Sequence, residues 1–266
     1  MRARKYFAFL RAGLIETVQY RLSLLIMVVG NLLYLILIYF LWKAIYASAG
    51  TDTVNGMTFS DTLIYLVLAT AMFTFMEMYS VWEIGRDIQS GKMVLNLLKP
   101  MKYQTYLFWS YSGTLVSQFL VTFLPTFIIV RIVTGDTIPL GWNLLLFLGA
   151  ALMAIVINYT IDFIVGTICI FTESIWGINI MKQVIVLLLS GATIPVAFFP
   201  EGLKNVVYFL PFQSIYNTPL TILIGKEPPE NVLWMMGLQL FWCLFLGVVS
   251  RLFWNRSIRR ITVNGG

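Results

Sequence analysis

Apolar residues in this chain gather into long runs parted by short polar stretches, a pattern that predicts membrane-crossing segments. Leu22 to Trp42 is 21 residues of nearly pure apolar character, enough for a helix to cross a hydrocarbon layer of ~30 Å. Further runs cover about Thr62 to Val81, Tyr103 to Val133, Trp142 to Phe171, Val184 to Phe199 and Val232 to Phe253. Pro125 falls inside the third run and predicts a kink there, because apolar character continues past it. The fourth is long for one crossing and is expected to tilt, or to break near Asn158 or Gly166. Gly191 and Pro195 make the outer half of the fifth irregular. Gly202 to Gly225 is divided by Pro211 and Pro219 into pieces too short to cross, so it reads as a re-entrant or surface hairpin before the sixth span. The expected fold is an all-α polytopic membrane domain over residues 22–255 with six transmembrane helices, followed by a short basic tail over 256–266.

The polar stretches carry the remaining organisation. Residues 1–21 hold Arg2, Arg4, Lys5, Arg11 and Arg21, while Tyr6, Phe7, Leu10 and Leu14 share one arc of a helical wheel. That predicts an N-terminal amphipathic helix lying in the membrane interface. Ala47-Ser48-Ala49 resembles a signal-peptide cleavage site after a basic start, but the first apolar run exceeds the roughly 7–15 residues of a signal core, so it is kept as a span. The longest charged interruption is Glu83 to Lys102. Read as a helix from Ile88, it puts Gln89, Lys92, Asn96 and Lys99 on one stripe, with Met93, Val94, Leu97 and Leu98 over the rest and Pro100 as its stop. Such a stripe suits a short amphipathic helix against the inner membrane surface, or an ordinary solvated loop.

Composition agrees with the bilayer: 59% of residues are hydrophobic and 11% charged, against roughly 45–50% and about 25% in soluble domains. The net charge of +6 does not point to nucleic acid, because the basic residues sit at the ends of apolar segments, where anionic lipid headgroups attract them. With six spans and an inside N-terminus, the outside keeps only Lys43, Arg131, Lys204 and Lys226, and every other Lys and Arg, Lys182 included, falls inside. This positive-inside bias places both termini and Glu83 to Lys102 in the cytoplasm of a cell-membrane protein; a seventh span would throw the arginine-rich C-terminus outside. Histidine is absent, which removes Ser-His-Asp hydrolysis and the HExxH zinc site and argues against a lipid-headgroup enzyme. No GxxxxGK[ST] occurs, so the chain by itself cannot hydrolyse ATP. Cys169 and Cys243 lie in apolar runs and suggest no disulfide framework or metal cluster.

Two carboxylates fall within spans. Asp162 lies well inside the fourth and Glu77 a turn from the inner end of the second. An embedded charge costs at least ~2.5 kcal/mol on insertion scales and wants a partner or a wet cavity. Asp162 is either an interhelical strut with Asn158, Thr160 or Thr167, or a group that binds a cationic substrate or relays a proton. Phe73, Phe75, Tyr79, Phe163, Phe171 and Phe198, with methionines such as Met72, Met76 and Met153, are candidates for a hydrophobic path, although lipid-facing or core packing explains them as well. Trp42, Trp82, Trp142 and Trp254 fall at span ends, where belt anchoring accounts for them. Glu83, Arg86 and Asp87, at i, i+3 and i+4, pair with one another or grip a partner.

Three segments in this order resemble ABC-2-type permeases, the membrane subunits of ATP-binding-cassette exporters: the basic amphipathic start, IGRDIQSGKMVLNLLKP after the second span, and ATIPVAFFPEGLKNVVYFLPFQSIYNTPLTILIG before the sixth. The resemblance covers nearly the whole chain. It implies export of an amphipathic drug, peptide or lipid by alternating access, with two cytoplasmic ATPase subunits carrying ATP and Mg and a second six-span permease, identical or dissimilar. It implies that Ile84 to Leu98 is the coupling helix, with Glu83, Arg86, Asp87, Gln89, Lys92, Asn96 and Lys99 at the ATPase, and that Leu210, Pro211, Phe212 and Pro219, with Lys204, form an outer gate. The alternative is an ion-coupled secondary transporter using Asp162 and Glu77.

Overall fold

The computed structural model describes residues 11, 15, 21–135, 138–139, 141–172 and 175–260. The amphipathic helix expected over 1–21 and the end of the basic tail therefore lie outside the described residues. The described chain is almost entirely helical. Among the described residues, five helices are long and apolar enough to cross a membrane, namely Val29–Ala49, Phe59–Gln89, Tyr103–Thr134, Trp142–Thr172 and Pro229–Arg260.

The first span, α1 (Arg21–Ala49), continues past the expected end at Trp42. It is followed by a miniature hairpin, β1 (Thr53–Val54) and β2 (Met57–Thr58), paired antiparallel. Asn55 and Gly56 both take positive φ at its tip, which is the turn that Asn-Gly favours. The second span opens on a capping box: Asp61 N–H donates to the Thr58 hydroxyl and Thr58 N–H to the Asp61 carboxylate, each at 3.1 Å. It is not one helix. After α2 (Phe59–Met76) the backbone leaves helical geometry at Glu77 and resumes in α3 (Ser80–Gln89). A short α4 (Lys92–Leu97) follows.

The third span is bent where Pro125 requires it. Between α5 (Tyr103–Gln118) and α6 (Leu124–Thr134) lies a π-turn, Phe119–Phe123. Pro125 cannot donate to the carbonyl four residues back and clashes with it, and the extra residue of a π-turn relieves both. The fourth span, α7 (Trp142–Thr172), runs unbroken, so neither Asn158 nor Gly166 interrupts it. Gly166 instead lets α3 approach: a Cβ there would stand 2.5 Å from Ile84 Cδ1, and one on Gly85 would overlap Ile175.

The expected fifth span is the largest correction. Its helix, α8 (Trp176–Leu189), begins eight residues before Val184 and stops at Ser190. Its 14 residues rise about 21 Å, short of the ~30 Å hydrocarbon layer. The chain then turns through Gly191, makes a 3₁₀ turn at Val196–Phe198, forms the surface helix α9 (Glu201–Phe209), and re-enters as α10 (Asn217–Ile224), seven of whose eight residues are buried. Gly202 to Gly225 is thus half surface and half re-entrant. The last long helix, α11 (Pro229–Ser257), ends in a 3₁₀ turn at Ile258–Arg260.

At the centre stands α7, against which α3, α10 and α11 pack. Buried Gln239 on α11 donates to the carbonyls of Ala150 and Ser214, both at 2.8 Å, joining α11, α7 and the re-entrant segment. Trp254 stacks on Tyr103 at 5.2 Å. Trp42 and Trp254 are buried and Trp142 exposed, so among the span-end tryptophans only Trp142 keeps a belt position on the surface, while Trp82 faces a cavity described next.

Candidate functional site

The break in the second span creates the main polar feature of the membrane region. Helix ends leave carbonyls without intrahelical partners, and in lipid each such group costs several kcal/mol. Here Asn158 of α7 donates to the Met76 carbonyl at 2.8 Å. Beside the break lies a cavity of about 290 Å³ walled by Phe73, Met76, Tyr79 and Trp82 on one side and by Asn179, Lys182 and Gln183 of α8 on the other. Glu77 lines it beside Tyr79. Tyr216, from the re-entrant segment, stacks on Phe73 at 6.1 Å and closes the far side.

Asp162 does not line this cavity. It is fully buried behind it, with Lys182 Nζ 2.7 Å from one carboxylate oxygen and the Ser80 hydroxyl donating to the other at 3.0 Å. Asn158, Thr160 and Thr167, the strut partners expected from sequence, bond elsewhere: Asn158 to Met76, and the two threonines to backbone carbonyls one turn back in α7. Asp162 therefore joins α7 to α8 through Lys182 and to α3 through Ser80. Lys182, counted from sequence as a cytoplasmic loop charge, is part of α8 and pairs inside the bundle.

Of the residues read from sequence as a path, Phe73, Met76 and Glu77 meet in the cavity. Phe163 is buried in a separate aromatic cluster, 5.0 Å from the Trp254 ring, and Phe198 packs on Trp42 at 4.5 Å. Tyr79, also read from sequence as a path residue, lines the cavity too; Lys182, Trp82 and Tyr216 escaped the sequence reading. A usable signal existed for one of them, since Asn179, Lys182 and Gln183 sit at helical spacing on one face.

The segment after the break is a helical hairpin. The single helix expected from Ile88 does not form: α3 ends at Gln89, Ser90 closes it, and Gly91 reverses the chain at φ +71°, a conformation glycine reaches without strain. The polar stripe is accordingly divided. Asn96 turns inward to donate to Asp87 at 2.6 Å, and the Tyr103 hydroxyl donates to the same buried carboxylate at 2.8 Å. Glu83 accepts from Tyr111 at 3.1 Å and lies 3.5 Å from Arg86. Lys99 lies over the Tyr106 ring. What faces outward is Arg86, Gln89 and Lys92 together with Leu95 and Leu98, the last 77% exposed.

Of the outer-gate residues, Pro211 and Pro219 are buried and Leu210 and Phe212 partly so. The re-entrant turn is held by Tyr65, whose hydroxyl donates to the Gly191 carbonyl at 2.8 Å, and by Asn217 N–H, which donates to the Ser190 carbonyl at 3.1 Å. At the same end Lys226 pairs with Asp61 at 2.7 Å.

Long apolar helices around a central α7, two discontinuous spans and a polar-based cavity between them define a polytopic membrane protein. The family profile described as ABC-2 family transporter protein matches residues 32–265. The chain therefore belongs to the ABC-2 transporter family and is a membrane transport subunit. No protein among those of curated function matches it.

Proposed function

We propose that the chain is the permease subunit of an ATP-binding-cassette exporter in the cell membrane, with cytoplasmic termini, working beside a second permease and above two ATPase subunits that bind ATP and Mg. Its cargo is an amphipathic drug, peptide or lipid. The observation that carries this reading is the α3–α4 hairpin. One face is fixed to α7 at Gly166 and locked by the Asp87, Asn96 and Tyr103 contacts. The other presents exposed cations and leucines, Arg86, Lys92, Leu95 and Leu98, of which Arg86 is held only by its surface pair with Glu83 at 3.5 Å. A rigid mount with an adherent outer face suits a part that receives force from a partner. Docking is thereby assigned to Arg86, Gln89, Lys92, Leu95 and Leu98, and positioning of the hairpin to Glu83, Asp87, Asn96 and Lys99.

The test is co-expression with an ATP-binding-cassette ATPase from a neighbouring reading frame. Arg86→Glu combined with Lys92→Glu is expected to abolish co-purification and stimulated ATP hydrolysis while membrane insertion stays intact. Unchanged co-purification in that variant would remove the hairpin from the interface.

A further inference from the structure

The cavity beside the break of the second span has a charge balance that selects its occupant. Two charged side chains line it, Glu77 and Lys182. The ammonium of Lys182 is already committed to Asp162 at 2.7 Å, behind the wall. Lys182 and Asp162 carry opposite charges and are bonded to one another, so the pair brings no free cation to Glu77. Glu77 is exposed and lines the space beside Tyr79. Around it stand four aromatic rings, Phe73, Tyr79, Trp82 and Tyr216. Phe73 and Tyr79 are 39% and 54% exposed respectively. Cations are drawn to ring faces even at partly exposed sites, and a carboxylate beside the rings adds the attraction of an opposite charge.

We infer that this cavity is a binding site for hydrophobic organic cations, with Glu77 as the counter-charge and Phe73, Tyr79, Trp82 and Tyr216 as the ring wall. The inference rests on the transport reading for its purpose and narrows the cargo from amphipathic molecules in general to those bearing a delocalised or quaternary positive charge. A neutral or anionic amphiphile of the same shape meets the same rings but gains nothing from Glu77, and an anion is repelled by it. Lys182 cannot serve such an anion while Asp162 holds it.

The experiment uses the full chain in phosphatidylcholine nanodiscs, without nucleotide, and measures equilibrium binding of radiolabelled tetraphenylphosphonium. Unlabelled tetraphenylphosphonium is expected to displace it at least about tenfold more effectively than neutral triphenylphosphine oxide or anionic tetraphenylborate, the size of effect that one cation–π and carboxylate contact supplies. Glu77→Gln is expected to weaken binding about tenfold, and Glu77→Asp to restore most of it. Equal displacement by the three competitors, which needs no variant, would overturn the site, as would unaltered binding by Glu77→Gln. Because binding is read without ATP, charge-selective binding in a chain that shows no ATP-driven flux would overturn the exporter reading alone. ATP-driven flux with charge-blind binding would overturn the site alone.

Discussion

Neutralising Asp162 provides the most demanding test of how the spans are held together. At a separation of 2.7 Å from Lys182, and with an effective dielectric of about 20, the Coulomb attraction is roughly 6 kcal/mol. Burying the carboxylate offsets a large part of that gain, so the net worth of the pair is small. Removing one member is a different matter. Asp162→Asn keeps an acceptor oxygen for Ser80 but strands an ammonium whose side chain is 13% exposed, and breaking a buried pair in this way costs ~3–5 kcal/mol. Because Lys182 borders a cavity that water can enter, the lower end, about 3 kcal/mol, is expected. Asp162→Asn combined with Lys182→Met removes both charges and should recover most of the loss, so the double variant costs clearly less than the sum of the two singles. Equilibrium unfolding in mixed micelles, run on the two single variants and the double, measures that difference. A single variant as stable as the wild type, or a double variant that loses the sum of the singles, would refute the assignment of Lys182 and Asp162 as a pair.

Gly166→Val is expected to destabilise by ~1–3 kcal/mol through overpacking against Ile84, and Ile84→Ala in the same chain should restore part of it, both read by the same unfolding measurement. Lys226→Ala removes a rim pair whose lysine side chain is 42% exposed; the loss should stay below about 1 kcal/mol and shrink further as salt is raised.

Most of the crossing architecture was legible because lipid imposes a length on apolar runs, and Leu22 to Trp42 or Val232 to Phe253 could be read from that alone. The kink at Pro125 was legible too, since proline carries its own geometry, although only the structure reveals that a π-turn absorbs it. The break at Glu77 was not. No Pro or Gly marks Met76 to Tyr79, and what stabilises the break is Asn158, 82 residues away. The start of α8 was misplaced for a similar reason: Asn179, Lys182 and Gln183 look like a polar loop until Asp162 supplies the buried partner. The Asn55-Gly56 turn was readable and missed, because two-residue strands offer no alternating pattern. At the candidate site, Phe73, Met76, Glu77 and Tyr79 were found from their place on the second span, while Trp82, Lys182 and Tyr216 converge from three separate elements.

The discontinuities explain why the cavity lies where it does. A span that breaks inside the bilayer must have its freed backbone groups met by protein. The second span meets that demand through Asn158 of α7, and the fifth through Tyr65 of α2 and the backbone of Asn217. The cavity occupies the gap between these two supported breaks, with α3 leading away from one and the re-entrant segment from the other. Its walls are therefore chain ends of helices, which shift against one another at less cost than the interior of a packed helix pair. Force delivered to α3–α4 by a partner would reach the cavity through the three non-helical residues Glu77, Met78 and Tyr79, and α7 through the contact at Gly166. Those three non-helical residues include the carboxylate and one of the rings assigned to the cation. On the proposed mechanism, the stroke that moves the hairpin and the rearrangement that releases the cargo are then the same displacement, and the Lys182–Asp162–Ser80 link determines how far α3 can travel before α8 must follow.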